Sequence, residues 1–521
     1  MNQKIEKFLK ENYIVIFIFL VSIILISGPF LISNNLEGFD AAGQYANAYY
    51  IRHYFWPWPG GWNSMLLLGF PQGIFYPPFF HWLSATLSFI MPLALAYKII
   101  LSLAVISFPL IYFRVAKNLF GQNTLASAAL LLAGIFYYFD LGLNDNLFCD
   151  LYFGMSPHLF SLTLFFIYLH YLWKLTKDQK KWQWPALFLA LIIITHAITG
   201  LMSILFALLA LALSWQKKTI FIGIFKHLSL AATLSIWWWL PMLINLPYLS
   251  GSDISSEIAP ILILAIPFIL AASLASFSTK SESPLFLKTT ALFNIIILDF
   301  YLLSRVIAID NFPLHSTRLL VYPLLLAPIS LVSLLLKKKI NWQKINLTLL
   351  FVFSFYLFFF RIIPVGPFDT IILENINNYY KQGRIIVTGG SRYLDDRFHS
   401  TRMKLAMEHG TKIAEGLFVE SSANGWFIMS MMKSWEKTVP TFVWAYKNLQ
   451  EVDDVAWGSR ILGINYEYRI NDRKPSLEEK DLLESLATPK KIEEDNRPID
   501  KTAQSEDYRN KNTLSFKAGR Q

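Results

Sequence analysis

Two carboxylates in "EGFD", Glu37 and Asp40, stand three residues apart, a spacing that puts both on one face if the segment is helical. So placed, they can hold a divalent cation such as Mg or Mn through oxygen ligands. Asp40 alone can instead act as a general base towards an acceptor hydroxyl, or simply cap the helix that follows it. A second acidic group is Asp140, Asp145 and Asp150, with His158 just beyond. Asp150, nearest the next apolar run, is the best placed of these as a metal ligand. A third group is Asp299, Arg305, His315 and Arg318. Asp299 interrupts the apolar run "NIIILDFYLLS" and costs free energy there unless it meets a partner or a wet cavity. Arginine suits a phosphate through two parallel hydrogen bonds, although Arg318 can equally snorkel to lipid headgroups. His196, in "THAITG", either lines the same cavity or is a satisfied histidine at a kink.

The elements around these residues are apolar. The chain has 521 residues, 54% hydrophobic and 16% charged, with a mean hydropathy of +0.41. That balance points to many membrane spans. Runs long enough to cross roughly 30 Å of hydrocarbon begin near Tyr13, Tyr97, Thr124, His158, Lys226, Ala259, Thr289, Arg318 and Leu347. The stretch from Trp184 to Trp215 is too long for one span and is read as two limbs broken at Thr195–Gly200. The expectation is a mainly α, polytopic membrane protein of about 11 spans, the first a retained signal-anchor.

Charge gives the sidedness. Residues 368–521 carry 23 Lys/Arg and 23 Asp/Glu, so the whole net charge of +10 belongs to the apolar part. A basic excess confined to short loops is an orientation signal, which argues against a nucleic-acid partner. With the N-terminus in the cytoplasm of a plasma-membrane protein, alternate loops collect 18 basic residues, among them Arg114, Lys117, Lys174, Lys177, Lys180, Lys181, Lys217 and Lys218. The short outer loops hold Arg52, Lys98, Arg305 and Arg318. This reading requires residues 79–95 to lie along or re-enter the outer face. It also places the first outer loop (34–95) and the C-terminal region outside.

The polar side chains Arg52, His53, Tyr76 and His81 of that loop are candidate substrate contacts. Trp56, Trp58, Trp62 and Trp82 fit a segment at headgroup level, as an anchoring belt or as a folded lid. Pro77 and Pro78 impose an extended approach to the next helix. After the membrane part (1–365), "GRIIVTGG" and "LGINYEYRI" read as strands and "STRMKLAMEHG" as a short helix ending at Gly410. A small extracytoplasmic α+β domain is expected over 366–472. The tail 473–521 reads as disordered, with room for a short helix around 477–486.

Phosphate-loop, dinucleotide, CxxC and HExxH motifs are absent, and the single cysteine, Cys149, excludes an internal disulfide. The outer loop with "EGFD" followed by "FWPWPGGWNSMLLLGFPQGIFYPPFFHW" resembles the integral membrane family labelled "6-pyruvoyl-tetrahydropterin synthase-related". That family is similar to the GT-C superfamily of polyprenyl-phosphate-sugar-dependent glycosyltransferases. The resemblance implies Asp40 as base or metal ligand with Glu37 beside it, Asp150 as the second-loop aspartate, and Pro77–Pro78 opening the helix after the loop. It implies sugar transfer on the outer face from a polyprenyl-phosphate donor to a glycan, lipid or protein acceptor. The donor phosphate would be held by Arg318 and Arg305. A lipid or glycan transporter and a non-catalytic envelope assembly protein are the alternatives.

Overall fold

The computed structural model describes residues 3–32, 40–66, 69–121, 123–138, 154–246, 284–306, 316–335 and 340–360, with shorter pieces including 150–151, 269–274, 384–388 and 464–469. The chain forms two compact units. The first comprises Met1–Leu36, Pro77–Trp239 and Ser255–Pro367; the second comprises Glu37–Tyr76, Leu240–Ile254 and Phe368–Gln521.

The first unit is helical. Five helices are long and apolar enough to cross a membrane: Glu11–Ile32, Leu93–Phe120, Ser156–Lys177, Lys218–Ile244 and Pro284–Leu303. Asn123–Tyr137, Ala197–Leu213 and Val321–Leu335 are shorter apolar helices. The chain is membrane-embedded, since helices are the form in which an apolar segment satisfies its own backbone in lipid. Nearly every run expected from the sequence has its helix; the one beginning near Ala259 falls largely outside the described residues.

We number the helices that matter for the site α1 to α6. They are α1 (Phe79–Leu87), α2 (Leu93–Phe120), α3 (Ser156–Lys177), α4 (Gln183–Ile193), α5 (Ala197–Leu213) and α6 (Val321–Leu335). Helices α2 and α3 run parallel. Tyr97 OH meets Ser156 Oγ at 2.6 Å, Thr163 Oγ1 donates to the Ala104 carbonyl at 3.1 Å, and Asn118 Nδ2 meets His170 Nδ1 at 2.6 Å. Phe108, Tyr112 and Phe166 interlock between them, with Tyr137 against Phe108 at 4.6 Å. Tyr112 OH donates to the Leu325 carbonyl of α6 at 2.8 Å.

His196 and Gly200 of "THAITG" and the preceding Ile194 shape the break. The break between α4 and α5 leaves the Ile194 carbonyl to accept the Phe79 N–H that opens α1, at 2.9 Å. His196 is extended and its ring accepts from the Thr199 N–H, capping α5. A Cβ at Gly200 would lie 3.1 Å from Ile193 Cα, so a hydrogen there lets the two limbs close up. Helix α1, at nine residues, is far too short to cross a bilayer.

In the second unit, Ala41–Tyr50 is a helix followed by a hairpin, Gly61–Asn63 paired antiparallel with Phe70–Gln72. The hairpin is closed by Asn63 Nδ2 donating to Gln72 Oε1 and tied to the helix by Gln72 Nε2 donating to the Asn47 carbonyl, each at 2.9 Å. Glycine is required at Gly60, where a Cβ would stand 2.1 Å from the Gln72 carbonyl oxygen. Arg384–Thr388 pairs in parallel with Ile464–Arg469, the two segments expected as strands. Lys490–Lys491 pairs antiparallel with Tyr466 and Glu467, so the tail supplies a short edge strand where disorder was expected. An edge strand's unpaired N–H and C=O groups are what such a segment can satisfy. The helix expected to end at Gly410 and the one around 477–486 lie outside the described residues, except for Met407.

Candidate functional site: a buried polar row at helix N-termini

The first unit gathers its polar side chains where α3, α5 and α6 begin. Asp150 is fully buried and its Oδ1 accepts from His158 Nδ1 at 2.9 Å. Tyr137 OH lies 3.5 Å from Oδ2. A carboxylate removed from water is tolerable when paired and hydrogen-bonded, which is what the imidazole provides. The bond fixes the ring: Nδ1–H points at Asp150, leaving Nε2 as the atom that exchanges a proton.

His158 lies third in α3, and its ring centroid is 5.0 Å from that of His196. His196 Nδ1 is 2.8 Å from Thr199 Oγ1 and accepts the Thr199 N–H at 3.3 Å. As an acceptor there, the neutral ring carries its proton on Nε2. Thr199 Oγ1 also meets Ser161 Oγ and Tyr322 OH, both at 2.7 Å. One hydroxyl offers one proton and two lone pairs, so these three neighbours saturate it. The result is a row of side chains from α3, α5 and α6 locked by one threonine.

Arg318 stands at the same end, its Nη2 4.0 Å from Met155 Sδ and its charge within electrostatic range of His196. Helix N-termini present positive dipole ends and unbonded N–H groups. Two such termini, two imidazoles and a guanidinium make this an anion-favouring environment. Along α3 the opposite end carries Lys174 and Lys177, about 24 Å away at 1.5 Å per residue.

The sequence-expected residues divide as follows. Asp150, His158, His196 and Arg318 come together. His81 is buried in α1, edge-on to Phe80. Asp299 is exposed on the helix Pro284–Val306, and among the described residues no hydrogen bond joins it to the row. Arg305 ends that helix with its side chain outside the described residues, where His315, Asp140, Asp145 and Glu37 also fall.

Asp40 belongs to the second unit and directly precedes the helix Ala41–Tyr50. Its backbone carbonyl accepts from Gln44 N at 2.9 Å, but its carboxylate makes no capping hydrogen bond. The capping alternative is therefore set aside; Glu37, expected on one helical face with Asp40, lies outside the described residues. Gln44, one turn on, donates to Tyr76 OH at 2.9 Å. His53 lies against Tyr49 at 4.3 Å, and what burial it has, with Arg52 alongside, lowers its imidazole pKa. Tyr49 OH donates to the Met407 carbonyl at 2.8 Å, tying the first loop to the C-terminal part within this unit.

Among the described residues no three His, Cys, Asp or Glu side chains come together as a metal-holding group. Asp150 has an oxygen committed to His158. The cation expected from Glu37, Asp40 and Asp150 draws on Glu37, which lies outside the described residues. Sequence reasoning missed Tyr137, Ser161, Thr199 and Tyr322. The signal was faint but present: "THAITG" and "SPHLFS" are hydroxyl-rich interruptions of apolar runs.

The fold of the helical unit is shared with solved glycosyltransferase structures. The chain is similar to the arabinofuranosyltransferase AftD from Mycobacteria, with a TM-score of 0.52 and 15% identity over 89% of this chain and 36% of that one. It is likewise similar to the oligosaccharyltransferase of Archaeoglobus fulgidus solved with a tethered acceptor peptide, with a TM-score of 0.53 and 10% identity over 88% of this chain and 69% of that one. The chain thus spans about a third of the length of the arabinofuranosyltransferase. At such identities the likeness shows the fold alone. No family model and no curated protein matches the chain, so the pterin-synthase-related label rests on the sequence resemblance only.

Proposed function

We propose that this protein transfers a sugar from a polyprenyl-phosphate donor to an acceptor hydroxyl at the outer membrane–water boundary. The observation that carries the reading is Arg318 standing with His158 and His196 at the N-terminal ends of α3 and α5, on a GT-C fold. An isoprenoid tail dissolves only in lipid, so its phosphate must be met by protein groups at the bilayer edge. Arg318 and the helix ends supply positive potential for that phosphate and for the charge that builds on it as the glycosidic bond breaks. The His196 Nε2–H is a donor suited to its oxygens.

The base role of Asp40 rests on the sequence resemblance. A carboxylate there would take the acceptor hydroxyl proton as that oxygen attacks the anomeric carbon from the face opposite the phosphate, inverting the centre. The aromatic loop would offer stacking surface to the sugar ring.

The test is transfer of radiolabelled sugar from polyprenyl-phosphate-sugar donors in proteoliposomes. Asp40→Asn is expected to lower turnover at least 100-fold with normal protein levels, and Arg318→Gln to raise the donor KM. Unchanged transfer with Asp40→Asn removes the base assignment; no transfer from any such donor by the native chain removes the reaction.

A further inference from the structure

The other end of the helical unit holds a second constellation, which the proposed reaction does not use. Arg114, Lys117 and Asn118 end α2; His170, Lys174 and Lys177 end α3; Lys180 and Lys181 follow in the connection to α4. Six cations thus stand close in the fold, while between Asp150 and Asp253 the sequence has one carboxylate, Asp178. Asp178 is spent locally. The Lys180 N–H at 3.1 Å and the Lys181 ammonium at 3.2 Å hold its pKa below the usual carboxylate range.

Arg114 from α2 and Lys174 from α3 both act electrostatically on the ring of His170, so both cations lie within electrostatic range of one imidazole. His170 is fixed by Asn118 at 2.6 Å; with the amide donating to Nδ1, the neutral ring turns an Nε2–H outward as a further donor. Beside this cleft runs an aromatic ladder. Tyr171 stacks on Trp184 at 5.7 Å and on Phe188 at 5.2 Å, and the Lys174 ammonium lies 5.0 Å over the Tyr171 ring. Positive-inside bias explains basic residues at this end. It does not explain two cations from different helices within range of a histidine fixed by Asn118, next to an aromatic ladder.

We propose that Arg114, His170 and Lys174 bind the phosphodiester of an anionic phospholipid, with its glycerol and upper acyl chain along Tyr171, Trp184 and Phe188. The headgroup charge answers the basic excess at this end, and the aromatic ladder suits the ester region of a lipid lodged between helices. This is a structural lipid, about a bilayer thickness from the polar row, so it stands whether or not the transfer reaction does.

Native mass spectrometry of the full chain, released from micelles containing phosphatidylglycerol or phosphatidylcholine, tests it. The native protein is expected to retain phosphatidylglycerol at least ten-fold over phosphatidylcholine. The double variant Arg114→Gln/Lys174→Gln is expected to lose that preference, and Lys218→Gln, a cation at the start of another helix, to keep it. Equal retention of the two lipids, or undiminished preference in a folded double variant, overturns the proposal. Should the double variant not fold, thermal unfolding of the native chain decides. Protection by phosphatidylglycerol that inorganic phosphate does not reproduce supports a lipid; equal protection by phosphate overturns it.

Discussion

The two regions richest in polar and aromatic side chains use them in opposite ways. In the helical unit, Asp150, His158, His196, Thr199, Ser161 and Tyr322 are buried and bond to one another. In the second unit, the hairpin after Ala41–Tyr50 buries the amides Asn63 and Gln72 together with Leu66 and Phe70, while Tyr54, Trp58 and Trp62 are 57%, 72% and 65% exposed. The first arrangement holds charge and protons in a fixed place within a low-dielectric interior. The second builds a small amide clasp whose product is an outward-facing aromatic surface. A shared richness in chemistry-bearing residues therefore says nothing by itself about which region is rigid and which is presented.

Substitutions separate the two. The largest loss is expected from Asp150→Ala, which strands the His158 Nδ1–H in a buried site. Breaking one side of a buried pair costs about 3–5 kcal/mol, read as a lowered unfolding temperature in detergent. Thr199→Val keeps shape but leaves Ser161, His196 and Tyr322 short of a partner; about 1–3 kcal/mol is expected by the same measurement. Gln72→Leu tests the amide clasp, which should cost a similar ~1–3 kcal/mol and expose the hairpin to limited proteolysis. Trp58→Ala should stay within about 0.5 kcal/mol of the native chain, as expected for an exposed side chain. If Trp58→Ala destabilised as much as Thr199→Val, the contrast between a closed network and a presented surface would fail.

Legibility in the sequence followed the range of the interaction. "THAITG" was visible as a break because it interrupts a single apolar run, and the strands 384–388 and 464–469 were visible from their local composition. Asp150 with His158 was within reach, eight residues apart. Thr199 with Tyr322, and Tyr137 with Asp150, were not, because nothing local to any of these residues marks the other. Asp299, which interrupts an apolar run, is exposed on its helix, and nothing local to it marks what it faces.

The sequence by itself determined that this is a helical membrane protein, because span length and hydropathy act over one helix at a time. Which buried polar groups meet was decided only by the tertiary structure. A buried donor must find its acceptor wherever helix packing brings one, and that packing joins residues more than a hundred positions apart.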